Sequence, residues 1–99
     1  MGATLVLKDV LARLGELDAH LVVYVPSGSE PTGETEVFLV DYHGPRTPRP
    51  AGMRYLLGVG DMRDVLATWS EWRAGRVPTE DERVEAVLFY AESDGYLPV

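Results

Sequence analysis

Leu7, Val10, Leu11, Leu14 and Leu17 recur at intervals of three and four, which predicts a short amphipathic helix from Lys8 to about Leu17 with these residues on one face. Gly15 weakens its end by about 1 kcal/mol relative to alanine. Thr4 to Val6 could instead form a brief edge strand. The period then changes to two. His20 to Val25, HLVVYV, is β-branched and aromatic and is stopped by Pro26-Ser27-Gly28. This run predicts a buried strand with Leu21, Val23 and Val25 on one side and Val22 and Tyr24 on the other. Glu36 to Tyr42, EVFLVDY, predicts a second strand, joined to the first by the polar loop SGSEPTG as a long-looped hairpin.

The strongest signal lies in Met53 to Gly75, MRYLLGVGDMRDVLATWSEWRAG. Tyr55, Leu57 and Val59 alternate as in a strand over Arg54 to Val59. Gly58-Val59-Gly60 reads as a tight turn and Asp61 as the cap of the helix that follows. Met62, Val65, Leu66, Trp69 and Trp72 then share one helical face, and Gly75 supplies a left-handed end. Thr79 and Glu82 form a capping box for a last helix, with three acidic residues at the positive end of its dipole. Val84, Val87, Leu88 and Ala91 form its buried stripe, and Gly95 ends it. The expected fold is a single α+β domain over 1–99, a three-stranded antiparallel sheet with helices packed on one face, in the order α-β-β-β-α-α.

Composition narrows the function classes. Sixteen acidic against nine basic residues give a net charge of -7, which repels a phosphate backbone and favours a basic partner. Nucleic acid is therefore not expected. The chain has no cysteine, so disulfides, thiol nucleophiles and cysteine-ligated metals are excluded. No apolar run approaches the roughly 20 residues that span a bilayer, and Met1 to Leu7 lacks the features of a signal peptide. No membrane association and a cytoplasmic location are expected.

Chemistry-bearing motifs are sparse. His20 and His43 offer no metal-binding spacing, and the serines have no nucleophile-elbow setting. Asp41-Tyr42-His43 sets an acid, a phenol and an imidazole in a row, but neighbours on a strand point to opposite faces. The G-x-G-x-x-G pattern is broken at Arg63, and Asp61 opposes an anion at the helix start. No catalytic, metal or cofactor-binding residue is assigned, and no cofactor is expected. Two surface groups remain. His43 to Gly52, HGPRTPRPAG, must be loop because of its three prolines, and Arg46, Arg49 and Arg54 concentrate at it. Trp72 with Arg73 and Arg76 forms an aromatic-basic group at the end of the tryptophan helix, while Asp61 and Asp64 share a face at its start.

Three stretches together resemble a small bacterial domain family of unknown function, about as long as this chain. Leu7-Lys8-Asp9-Val10-Leu11 is similar to its T-L-x-[DE]-V-L opening, and Arg54 to Asp61 to its R-Y-[FL]-L-x-V-x-D stretch. Thr79 to Glu82 with Phe89-Tyr90 is similar to its last helix. The resemblance implies a sheet flanked by helices and assigns no activity. The proline- and arginine-rich loop departs from the family's acidic one. A looser likeness, in fold and composition, is to the small acidic immunity-type proteins of bacterial competition systems.

These readings lead to an expected non-enzymatic interaction module, immunity-like or regulatory, that binds a basic protein surface. Its candidate surface comprises Tyr42, His43, Arg46, Arg49, Arg54, Asp61, Asp64, Trp72, Arg73 and Arg76. The alternative is a small-molecule-binding or catalytic domain at the sheet end near Tyr42, His43, Arg46 and Arg54, which a deep pocket there would favour. A homodimer through a free strand edge is a third arrangement.

Overall fold

The first apolar stripe, expected as one helix from Lys8 to about Leu17, is divided between a short helix that holds Leu7, Val10 and Leu11 and a 3-10 turn that holds Leu14, with Leu17 just beyond. In the computed structural model, which describes residues 5–42, 44 and 49–98, strand β1 (Leu5–Val6) passes directly into helix α1 (Leu7–Ala12), followed by a 3-10 turn (Leu14–Glu16). The rest is β2 (Leu21–Pro26), β3 (Glu36–Asp41), β4 (Met53–Gly58), α2 (Val59–Glu71) and α3 (Glu80–Ser93). The class is α+β with an antiparallel sheet and helices, as expected. However, the sheet has four strands rather than three, and the order is β-α-β-β-β-α-α.

The extra strand is β1, which pairs antiparallel with β3 through Leu5 opposite Val37 and Val6 opposite Glu36. It falls within Thr4 to Val6, the stretch that the sequence offered as a brief edge strand, and it lies at the edge of the sheet; Thr4 is outside the described residues. What holds it is backbone bonding. The Leu7 N–H donates to the Thr35 carbonyl at 2.9 Å and the Lys8 N–H to the Gly33 carbonyl at 3.0 Å. Donors that the first turn of a helix leaves open are thereby satisfied without a side-chain cap.

Spatial order in the sheet is β1-β3-β2-β4. Along β2 the expected parity holds: Val23 and Val25 enter the core cluster, whereas Val22 and Tyr24 stay outside it. On β4 the expected alternation does not hold. Val23 faces Leu57 and Tyr24 faces Tyr55, which leaves Leu56 as a bulge. One extra residue reverses the facing of everything on its far side. Leu56, Leu57 and Val59 are all buried, while Tyr55 turns to the opposite face.

Helix α2 begins at Val59 with Gly58 as its N-cap and no side-chain cap bond. Asp61 therefore lies in the first turn rather than at the cap, and the expected glycine turn is a direct strand-to-helix passage. Helix α3 keeps the expected capping box, with the Glu82 N–H donating to Thr79 Oγ1 at 3.2 Å and the Thr79 N–H to Glu82 Oε1 at 3.0 Å. Its left-handed end falls on Asp94 (φ 55°) rather than Gly95. After α2, Ala74 (φ 58°) and Gly75 (φ 81°) are both left-handed.

Helix α2 packs on β2 and β4, and α3 packs on both α1 and α2. Leu7 and Val10 of α1, Met62, Val65 and Trp69 of α2, and Val87 of α3 meet the sheet side that carries Val23, Val25, Val37 and Leu57. Fully burying such a side chain stabilises by roughly 1.5–3 kcal/mol. Among the described residues, Val22 and Tyr24 on the other sheet face lie outside this core cluster.

Candidate site on the helix-free sheet face

That second face is built by the alternate residues of three strands. Register places Phe38, Tyr24 and Tyr55 in one row across β3, β2 and β4, and Val40, Val22 and Gly58 in the next. Beyond them, the Tyr42 N–H donates to the His20 carbonyl at 3.2 Å, continuing the β3–β2 contact. Phe38 is 52% exposed, Tyr42 45% and Tyr55 47%. Three large rings half in water on one side of a sheet exceed the isolated apolar residues common on surfaces. Tyr24 is buried beside Tyr55, their rings edge-to-face with centroids 6.1 Å apart.

The second row is low because one of its members is glycine. A Cβ at Gly58 would lie 3.4 Å from Asp61 Oδ2, 3.8 Å from the Tyr55 hydroxyl and 3.9 Å from Val22 Cγ1. Around this dip lies an open concavity of about 920 Å³, lined by Tyr24, Tyr42 and Tyr55, by His20 and Arg49, and by the first turns of α2 with Gly60, Asp61 and Asp64. Burial, then the charge of Asp61, pushes the Tyr55 hydroxyl above its ordinary pKa against the opposing effect of the Gly58 backbone. At neutral pH the phenol is therefore a proton-bearing donor. Arg63 also borders the hollow, but its guanidinium is turned to the 3-10 turn. Its Nε and Nη2 donate to the Leu14 carbonyl at 2.9 and 2.6 Å, and Nη2 also donates to the Leu17 carbonyl.

Of the residues singled out from sequence, Tyr42, Arg49, Asp61 and Asp64 come together at this concavity. His43 and Arg46 lie outside the described residues. Arg54 is exposed on β4 opposite Val25 and does not line the hollow. Trp72, Arg73 and Arg76 belong to a different region, at the far end of α2. Arg73 and Arg76 sit over the Trp69 ring with Cζ 4.3 and 4.7 Å from its centroid. Arg73 also donates to the Trp69, Leu97 and Pro98 carbonyls, and Arg76 pairs with Glu82 at 2.8 Å. Trp72, 47% exposed, packs edge-on to Tyr96, which meets Tyr90. Arg73 thus braces the C-terminal segment and Arg76 the start of α3, both through contacts within the chain.

Sequence reasoning missed Phe38, Tyr24, Tyr55 and Gly58 as site residues. Strand parity already separated Val22 and Tyr24 from the core side, and the same parity applied to Phe38, Val40 and Tyr42 would have assembled most of the face. Tyr55 could not be found in this way, because the bulge at Leu56 reverses its side.

Among the described residues no group of three or more His, Asp or Glu side chains is placed to hold a metal ion, and no helix is long and apolar enough to cross a membrane. The chain matches no protein-family model, no curated protein and no solved structure.

Proposed function

We propose that this chain is a non-enzymatic interaction module, immunity-like or regulatory, that binds a basic protein surface through the helix-free face of its sheet. The observation that carries the reading is the group of half-exposed rings of Phe38, Tyr42 and Tyr55 on one face, next to Asp61 and Asp64 at its end. Aromatic residues at the centre of a patch and charges at its rim are the usual anatomy of a protein interface. The excess of carboxylates in the whole chain favours a partner of opposite sign and speeds its approach. The test is affinity capture from the native host's extract, with the wild-type chain and with the F38S/Y42S/Y55S variant. A basic protein retained by the wild type at low salt, and lost with the variant, supports the reading. Identical captures by both chains, or none at any salt, overturn it.

A small-molecule site at the same sheet end is the second reading, favoured by the size of the concavity. Ligand pockets run from roughly 300 to 1,000 Å³. Its breadth and open mouth suit a protruding side chain of a larger partner better than an enclosed metabolite.

A further inference from the structure

We infer that the hollow over Val22 and Gly58 receives the cationic head of an arginine or lysine side chain presented by the partner; this rests on the interaction reading and assigns its anchor. Three features point to a cation. Tyr24, Tyr42 and Tyr55 wall the hollow with aromatic rings, whose negative faces attract guanidinium and ammonium groups. Asp61 places Oδ2 at its floor, 3.4 Å from where a Gly58 Cβ would be, and has no ion-pair partner among the described residues. Asp64 borders the same space one helical turn on.

An anion is the natural occupant of a helix N-terminus, and here the first turn of α2 faces the hollow. Its own Asp61 already places a negative charge there. Arg63, the residue beside it, directs its donors to the Leu14 and Leu17 carbonyls, so its fork is not presented to a ligand. Arg49 remains as an exposed positive charge on the rim. For a cationic head it is the unfavourable neighbour, which makes it the residue that tells the two signs apart.

Gly58 lines the hollow while itself buried, and its missing side chain leaves a gap between Asp61, Tyr55 and Val22. The backbone there, at φ -78° and ψ 152°, suits alanine as well as glycine. The contacts an added methyl would meet, at 3.4 to 3.9 Å, are ordinary. Gly58→Ala therefore raises the floor under the cation without straining the chain.

The experiment titrates the full chain with the capped tripeptide Gly-Arg-Gly and its Gly-Lys-Gly counterpart, following backbone amide shifts by NMR, with inorganic phosphate as the anionic probe. Saturable shifts centred on Gly58, Gly60 and Asp61 are expected with a cationic peptide and not with phosphate. Asp61→Asn and Gly58→Ala should each weaken binding by on the order of tenfold, the loss of about one charge-assisted contact, with the rest of the amide spectrum unchanged. Arg49→Gln should tighten it. Binding of phosphate that Arg49→Gln abolishes, or no saturable shift with either peptide, overturns the inference. If the capture experiment still depends on Phe38, Tyr42 and Tyr55 while neither peptide binds, the anchor is wrong and the interaction face stands. If both fail, the interaction reading falls with it.

Discussion

Replacing Arg63 by methionine keeps the stem and removes the fork that joins α2 to the 3-10 turn. In the wild type, Nε and Nη2 satisfy the Leu14 carbonyl and Nη2 reaches the Leu17 carbonyl across more than 40 residues of chain. A hydrogen bond to a charged group contributes about 1.5–3 kcal/mol net. The site is only half-buried, so water recovers part of the loss at the two carbonyls, and the sum for the fork is about 2–3 kcal/mol. In urea unfolding, with a slope of about 1–3 kcal/mol/M, the midpoint should fall by about 1–2 M at unchanged slope. Tm should fall by roughly 10–20 °C, since 1 kcal/mol corresponds to roughly 4–8 °C in a domain this small. Arg63→Lys should recover less than half of this, because one ammonium cannot reproduce a planar fork aimed at two acceptors. Arg13→Met, at an exposed position of the same region, should stay within about 0.5 kcal/mol. If Arg63→Met also loses less than about 0.5 kcal/mol, or if lysine serves as well as arginine, the brace does not stabilise the fold and the account of why Arg63 is withheld from the hollow fails with it.

Ala74→Gly and Asp94→Gly relieve left-handed backbone at φ 58° and 55° and should each stabilise by about 0.5–1 kcal/mol, read as a raised urea midpoint. The Glu82 carboxyl is held below the usual carboxylate range, first by the Thr79 backbone N–H and then by the Arg76 guanidinium. With its folded pKa below the unfolded value, the stability it contributes is present above about pH 4.3 and disappears as pH falls through the folded pKa. Thermal unfolding of Glu82→Gln against wild type should therefore show a gap near neutrality that closes in acid; a constant gap would remove the linkage. Met62→Ala empties a fully buried position on α2 and should lower stability by about 2–5 kcal/mol by denaturant titration.

Much of this molecule could be read from its residues because local chemistry and burial agree there. The Thr79–Glu82 capping box, the α2 stripe and the side assignment along β2 each depend on neighbours within a turn or on strict alternation. Trp69 falls into the core, whereas Trp72, expected on the same helical face, is the C-cap just beyond α2 and stays 47% exposed. Tertiary structure decided what depends on distant backbone. β1 exists because residues 33 to 37 supply it with partners, and the facing of Tyr55 follows from one unpaired residue against β2. Arg63 could equally have faced a ligand until carbonyls nearly 50 positions earlier in the chain claimed its donors. The composition carried the sign of the charge; only the folded register gathered Tyr24, Tyr42, Tyr55 and Asp61 around a glycine floor, because side chains far apart in sequence meet where strand pairing, and not propensity, sets who lies beside whom.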